Sequence, residues 1–360
     1  MRTGISLYPG LDRTAAENKA LLVKAAELGI DRVFTSLHIP ESNTVVLQEE
    51  MAGLLQTARH YDLDVIADIS PAAARLLELP ALTPKALLDL GITTARFDYG
   101  FDVRKIAFFS HFMGVQLNAS TLRPSDLAAL RAAGADFHRL DSLHNFYPRP
   151  HTGLGEDYVQ RQNQWLQGEK IRTGLFIPSQ SGRRAPFHAG LPTLEKHRTM
   201  TVEQAGRHAI ALGTDSLFIG DDGPSLAELT ALAASGREEK GCIVLRARLI
   251  SHDPFIQDLL STTLTSRLDP AADAIRAQES RILSKGQAIR PDETAGIAIT
   301  CGDVTVDNDG YGRYKGEVQI SLVDQDGDGR TNKAAVILEE DRFLLSYIRP
   351  GSKFRLVLSN

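Results

Sequence analysis

The chain has 360 residues, 42% of them hydrophobic and 24% charged, which suits one large globular domain or two moderate ones. That composition excludes a disordered, collagenous or disulfide-stapled chain. With 40 basic against 45 acidic residues the formal charge is −5, so there is no general field for nucleic acid. The only cysteines, Cys242 and Cys301, lie far apart, which suits a reducing compartment and fits no cysteine-only metal site. The opening MRTGISLYPG reads as a strand rather than a signal sequence, and no apolar stretch approaches the roughly 18 residues of a membrane span. A cytoplasmic location is expected.

In chain order, short apolar strand patterns begin at Gly4 (GISLY), Arg32 (RVFTSLHI), Asp64 (DVIADI) and Thr94 (TARFDYG). They continue at Gly114 (GVQLNAS), Asp136 (DFHRLDSL), Ile171 (IRTGLFI) and Asp215 (DSLFIG). Amphipathic runs such as AAENKALLVKAAEL and PSDLAALRAA separate them, with apolar positions at helical spacing. Gly29, Gly91, Gly134 and Gly213 stand where a helix must stop before the next strand. Repeated βα units through residues 1–240 predict a (β/α)8 TIM-type barrel. The rival, an open doubly wound sheet, lacks the glycine-rich turn that a dinucleotide fold places after its first strand.

From residue 241 to 360 the pattern turns to strands: CIVLRARL, AGIAITCGDVTV, RYKGEVQISLV, AAVILEE, FLLSYI and FRLVLS. Turns at Asn308-Asp309-Gly310 and Pro350-Gly351 predict a small antiparallel barrel or sandwich. Short helices are expected near Pro254–Leu260 and Asp269–Ser280.

A barrel of this kind builds its active site at the C-terminal strand ends. Those ends carry Ser6-Leu7-Tyr8, Ser36 with His38 and Glu41, Asp68 and Ser70, and Arg96 with Asp98 and Tyr99. Next come Asn118 and Ser120, then His144, Asn145, Tyr147 and Arg149, then Glu195, His197 and Arg198, and last Asp221 and Asp222. A single strand-end Asp is commonly a helix cap, and Asp222 before Gly223-Pro224-Ser225 fits that role. The convergence of acids, amides, hydroxyls and bases on one face is not explained by capping. Paired carboxylates there suit glycoside hydrolysis, where one protonates the leaving oxygen and another attacks carbon or activates water. Glu41 is the expected proton donor and Asp98 the ionised partner. Glu195 is a third catalytic candidate, although it can also organise an ion network with Lys196, His197 and Arg198. Arg149 and Arg198 suit a phosphate or a carboxylate.

No metal or cofactor is expected. His38, His144, His188 and His197 form no paired metal motif, and no strand end offers a Schiff-base lysine for pyridoxal phosphate. Asp324-Gln325-Asp326-Gly327-Asp328-Gly329 opens like a calcium loop, but Ala335 occupies the twelfth position and the flanks read as strands. A hairpin turn is predicted instead.

Through GISLYPG, FTSLHIPE, RFDYGF, QLNAST, LHNFYPRPHTGL, GLPTLEKHR and DNDGYGRYKGEVQI, the chain resembles the MupG-type 6-phospho-N-acetylmuramidase family, formerly described as outer-surface or phosphosugar-binding proteins. The resemblance implies a cytoplasmic glycosidase in peptidoglycan recycling, with a (β/α)8 catalytic barrel at residues 1–240 and a cyclophilin-like β-barrel at 241–360. It implies hydrolysis of the β-1,4 bond of 6-phospho-N-acetylmuramyl-N-acetylglucosamine. The implied pocket holds Ser36, His38, Glu41, Asp98, Asn118, His144, Asn145, Tyr147, Arg149, Glu195 and Arg198, and the strand-end reading adds Tyr8, Ser120 and His197. His151 stands where the family pattern more often has an acid. A non-catalytic phosphosugar-binding or regulatory protein, and a phosphosugar isomerase or epimerase, are the alternative functions.

Overall fold

In the computed structural model, which describes residues 1–37, 44–71, 73–97 and 100–359, the chain divides into two units, Met1–Lys240 and Gly241–Asn360. In the first, strands β1 (Arg2–Ser6), β2 (Arg32–Ser36), β3 (Asp64–Ile69) and β4 (Thr94–Phe97) pair in parallel in chain order. They are followed by β5 (Gly114–Asn118), β6 (Leu140–Leu143), β7 (Arg172–Ile177) and β8 (Ser216–Ile219), and β8 returns to β1 to close the barrel. All eight strands coincide with the apolar runs read from the sequence. Gly29, Gly91, Gly134 and Gly213 have φ of 84°, 102°, 76° and 73°, the left-handed backbone that their place between helix and strand demands.

Two layers fill the barrel. At the strand starts, Arg32 is buried and donates from Nε to Asp64 at 2.9 Å and from Nη2 to Asp141 at 2.8 Å. Asp64 also accepts from Arg2, Thr93 and Thr94, and Asp141 accepts from Gln116. One polar network therefore links β1 to β6. Above it lies an apolar layer of Tyr8, Phe34, Ile66, Leu143, Phe176, Leu191 and Phe218, with Phe146 packed against it. Phe34–Phe176 and Phe146–Phe176 meet edge to face at 5.1 Å. Full burial of such a side chain contributes roughly 1.5–3 kcal/mol. This layer is the floor of the barrel mouth.

The second unit is a seven-stranded sheet: β9 (Cys242–Leu249), β10 (Leu264–Thr265), β11 (Ala274–Arg276), β12 (Asp303–Asp307), β13 (Val318–Ser321), β14 (Thr331–Ile337) and β15 (Lys353–Ser359). The order is β10-β15-β9-β14-β12-β13-β11, and every pairing is antiparallel except β9 with β15. The edges meet through a Ser266–Ala277 bridge, with Gln278 N to Thr265 O at 2.8 Å, so the sheet curls back on itself.

Three sequence expectations fail here. FLLSYI is no strand but part of a 3-10 segment, Glu339–Tyr347. Its buried residues, Asp341, Leu344, Leu345 and Tyr347, do not alternate, and the Asp341 carboxylate is fixed by the Arg246 guanidinium and backbone N–H. The helix expected over Asp269–Ser280 is replaced by β11, because Ala274–Arg276 completes the sheet beside β13. Tertiary pairing overrides local preference there. In the acidic turn, Asp328 accepts from the Arg330 side chain and the Tyr311 hydroxyl, and Asp324 accepts from Cys301 N. These carboxylates hold the turn, which is not the hairpin expected: it joins β13 to β14, and the two strands lie on either side of β12.

Candidate active site

His38, Glu41 and Asp98 lie outside the described residues. Ser36 is described and buried at the end of β2. Between β3 and β6, the buried Arg96 donates from Nη2 to Leu143 O at 3.2 Å and to Asn145 Oδ1 at 2.6 Å, with Asp68 Oδ1 3.8 Å from Nη1. Arg96 thus fixes the amide of Asn145 by its oxygen and orients its two N–H groups.

His144 is fully buried. Its Nε2 faces Asn163 Oδ1 at 3.1 Å, so it carries the proton, and Nδ1 at 3.2 Å accepts from the Ser120 hydroxyl. Ser120 Oγ in turn accepts from Asn145 N at 2.8 Å. Burial, together with the Arg96 charge, lowers the pKa of His144 to about 4, against the bond to Asn163. The ring is neutral. The sequence reading placed His144 and Ser120 among the substrate contacts; in the structure they bond each other, Asn163 and the Asn145 N–H, and so hold Asn145 in place. Asn118, buried at the end of β5, accepts from Ser120 N through Oδ1 at 3.0 Å.

In the GLPTLEKHR segment the structure shows the ion network that the sequence offered as the alternative role for Glu195. Arg198 donates to Glu195 Oε1 from Nε at 2.6 Å and to Oε2 from Nη2 at 2.7 Å. Its remaining N–H groups reach Ala189 O, Gly190 O, Tyr147 O and Arg149 O at 3.0–3.3 Å. Glu195 also accepts from His151 N at 2.9 Å and Gly153 N at 2.8 Å. The Arg198 bonds, joined by those two N–H groups, overcome burial and hold Glu195 down at about 2. All three Arg198 nitrogens are committed within the protein. The pair staples the loop after β6 to the loop after β7. His197 is fully buried, with Nε2 2.8 Å from His208 Nδ1. Burial, and then the His208 and Lys196 charges, keep it well below its usual pKa.

Tyr147 gives its backbone to this staple, its N–H bonding Pro192 O at 2.9 Å. Arg149 is exposed, and its backbone carbonyl is held by Arg198 and Thr152. Among the described residues no partner engages its guanidinium.

At a further corner of the mouth, Arg13 and Arg184, which the sequence does not mark, join Tyr8, Asp221 and Asp222. Tyr8 is buried in the floor and donates to Gly220 O at 2.7 Å. Burial raises its pKa above the ordinary phenol value, against the Arg184 charge. The Arg184 guanidinium lies 4.5 Å over the Tyr8 ring and 5.5 Å from Phe146. Arg184 is 5% exposed; among the described residues its guanidinium donates only from Nε, to Ala185 O, and its buried Nη1 has no hydrogen-bond partner. Arg13 Nε is also buried without one.

Asp222 is not the helix cap that its position suggested. Ser225 caps the helix Leu226–Arg237 in a capping box with Glu228, leaving Asp222 3% exposed with Oδ2 unpartnered. Burial raises its pKa, assisted by Asp12 and opposed by Arg13 and Arg184. Asp221 accepts from Ser179 N, Arg184 N and Leu191 N, yet burial pushes it up to about 6. No motif marks Arg184 in QSGRRAPF; only its loop position after β7 hints at it. Among the described residues no group of three or more His, Cys, Asp or Glu is set to hold a metal, and no helix is long and apolar enough to cross a membrane.

Comparison with known proteins decides the relationship. The chain matches the N-terminal part of the 6-phospho-N-acetylmuramidase family over residues 3–234 and its C-terminal part over residues 243–357. It belongs to the 6-phospho-N-acetylmuramidase family. As a family member it is similar to a solved, uncharacterized Bacillus cereus protein, at 28% identity over 99% of both chains with a TM-score of 0.84. It also resembles a conserved Enterococcus faecalis protein of unknown function, at 32% identity over 100% of this chain and 97% of that one, TM-score 0.70. No curated protein matches it significantly. In this 6-phospho-N-acetylmuramidase family chain, the described mouth brings together Ser36, Asp68, Asn118 and the Arg96–Asn145 pair, with Arg149 and the Arg13–Arg184–Asp222 corner on its loops.

Proposed function

We propose that the chain is a metal-independent glycosidase that hydrolyses the β-1,4 bond of 6-phospho-N-acetylmuramyl-N-acetylglucosamine in cytoplasmic recovery of cell-wall sugars. The observation that carries this is the match of both units, residues 3–357 together, to one family named for that activity. The chemistry is consistent with it. Such a substrate carries a phosphate and a lactyl carboxylate, and the barrel's C-terminal loops carry the exposed Arg149 and two guanidinium groups with an unpartnered nitrogen, Arg184 Nη1 and Arg13 Nε. Oriented amide and hydroxyl groups at Asn118, Asn145 and Ser36 suit a sugar.

In this proposal Asp98 and Glu41 supply the ionised and the protonated carboxyl group. The substrate's own 2-acetamido group can serve as the internal nucleophile, in which case one carboxylate orients it and the other protonates the leaving oxygen. Glu195 acts by positioning, because its four hydrogen bonds stabilise the ionised form and leave it a poor proton donor.

The test is incubation of the pure protein with the phosphorylated disaccharide in the presence of a chelator, followed by mass spectrometry. Free N-acetylglucosamine and 6-phospho-N-acetylmuramic acid are expected. Glu41→Gln and Asp98→Asn should each slow their release by about 10²–10⁴-fold. An intact disaccharide would identify a binding protein, and a rearranged sugar an isomerase; either result overturns the proposal.

A further inference from the structure

Three loops meet at the corner above Tyr8: residues 8–13 after β1, 178–191 after β7 and 220–225 after β8. They are built rigidly. Asp12 Oδ2 accepts from Ala185 N at 3.0 Å, and Asp221 gathers three N–H groups of the β7 loop. Gly182 and Gly223 touch backbone to backbone, so a Cβ on Gly182 would strike the Gly223 carbonyl. Arg13 Nη1 would stand 3.3 Å from a Cβ on Gly223. Into this fixed frame project three buried polar atoms without hydrogen-bond partners: Arg13 Nε, Arg184 Nη1 and Asp222 Oδ2.

Their mutual attraction does not satisfy them. Asp222 feels both guanidinium charges, yet among the described residues neither arginine closes an ion pair with it within 4.0 Å. Leaving a buried polar group unmade costs roughly 1–3 kcal/mol, and more when it is charged. A ligand that supplies acceptors to two guanidinium groups and shares a proton with a carboxyl would repair all three at once. A tetrahedral phosphate does this, since it offers several oxygens and has a second pKa near 6. The loops after strands seven and eight are also a recurrent phosphate position in barrels of this class.

We propose that Arg13, Arg184 and Asp222 form a phosphate subsite, in which the two guanidinium groups donate to phosphoryl oxygens and one proton bridges the Asp222 carboxyl and a further oxygen. Resting on the glycosidase reading, this subsite takes the 6-phosphate of the muramyl sugar. Arg149 is left for the lactyl carboxylate. Sulfate, which brings no proton at neutral pH, is the weaker ligand. The proton it lacks must come from Asp222.

Calorimetric titration of the full chain with inorganic phosphate, inorganic sulfate and D-lactate tests this directly. Phosphate is expected to bind about tenfold or more tightly than sulfate. Arg184→Ala should weaken phosphate binding about tenfold or more, as should Arg13→Ala at a half-buried position that leaves the fold intact. Asp222→Asn should erase the preference for phosphate over sulfate, because an amide N–H donates to either. Equal phosphate and sulfate affinity in the wild type overturns the proposal. So does phosphate binding that survives Arg13→Ala but is lost in Arg149→Ala, or lactate binding that alone depends on Arg13. Failure of the glycosidase reading looks different: phosphate still binds through Arg13 while the disaccharide stays intact.

Discussion

Glu195 and Arg198 illustrate how one residue type reads two ways until its neighbours are counted. In sequence, Glu-Lys-His-Arg could be an acid beside basic substrate ligands; in space, Arg198 exhausts its donors on one carboxylate and four carbonyls. Glu195→Gln keeps the shape and can still accept some of these bonds, so turnover should fall by no more than about tenfold, whereas a catalytic acid loses about 10²–10⁴-fold. Steady-state kinetics on the phosphorylated disaccharide checks this. A thousandfold loss with unchanged thermal stability would return Glu195 to the chemistry. His144 carries a second prediction. Its folded pKa, about 4, lies below the ordinary value near 6.5, so below pH 6.5 the unfolded chain takes up a proton that the folded one refuses. The stability it supplies is complete above pH 6.5 and is lost progressively towards pH 4, by up to roughly 3 kcal/mol. Urea unfolding of wild type and His144→Asn should therefore show a shallower pH dependence in the variant over that window.

Helix termini and strand ends were legible to different degrees. Ser225 and Glu228 form a capping box for the helix Leu226–Arg237, so Ser225→Ala should cost about 1 kcal/mol, measurable as a lowered unfolding midpoint. The same substitution frees the Glu228 carboxylate that Ser179 and Gln180 of the β7 loop also use, so some loss of phosphate affinity should accompany it. The eight strands and the left-handed glycines could be read from the sequence because local rules of burial and backbone sterics dictate them. The sequence does not single out the cap because three positions within four residues, Asp222, Gly223 and Ser225, all suit a helix start, and the fold decides that the Ser225 oxygen meets the third helical N–H. Arg184 left no pattern at all. Its setting comes from the aromatic rings beneath it and from the lack, among the described residues, of an acceptor for Nη1, both set by residues far away in sequence. FLLSYI failed for a related reason, since its anchor, Arg246, lies about a hundred positions earlier.

At the scale of the whole barrel, closure at the strand starts depends on charge as well as on apolar packing. Arg2, Arg32, Asp64, Thr94, Gln116 and Asp141 come from six successive strands, and Arg32 at their centre is almost completely buried. Hydrophobic neighbours alone could fill this layer at similar volume, but removing one partner leaves a buried charge uncompensated. Arg32→Met should accordingly destabilise the barrel by about 3–5 kcal/mol, while Arg149→Met, exposed at the opposite face, should leave the unfolding midpoint unchanged. The network also sets an acid limit. Burial alone would raise the pKa of Asp64, but Arg32, Thr93, Arg2 and Thr94 outweigh it and hold the folded value below normal. Stability from Asp64 is therefore complete above the ordinary aspartate pKa, about 3.9, and is lost as pH falls below it through the folded value. Loss of barrel structure on acidification should thus come in two stages, the histidine stage between pH 6.5 and 4 and a steeper one below. Circular dichroism at stepped pH, with Asp64→Asn removing the second stage, separates the barrel's base from its mouth. If the Asp64→Asn profile matched the wild type, the base network would have no part in holding the eight strands closed.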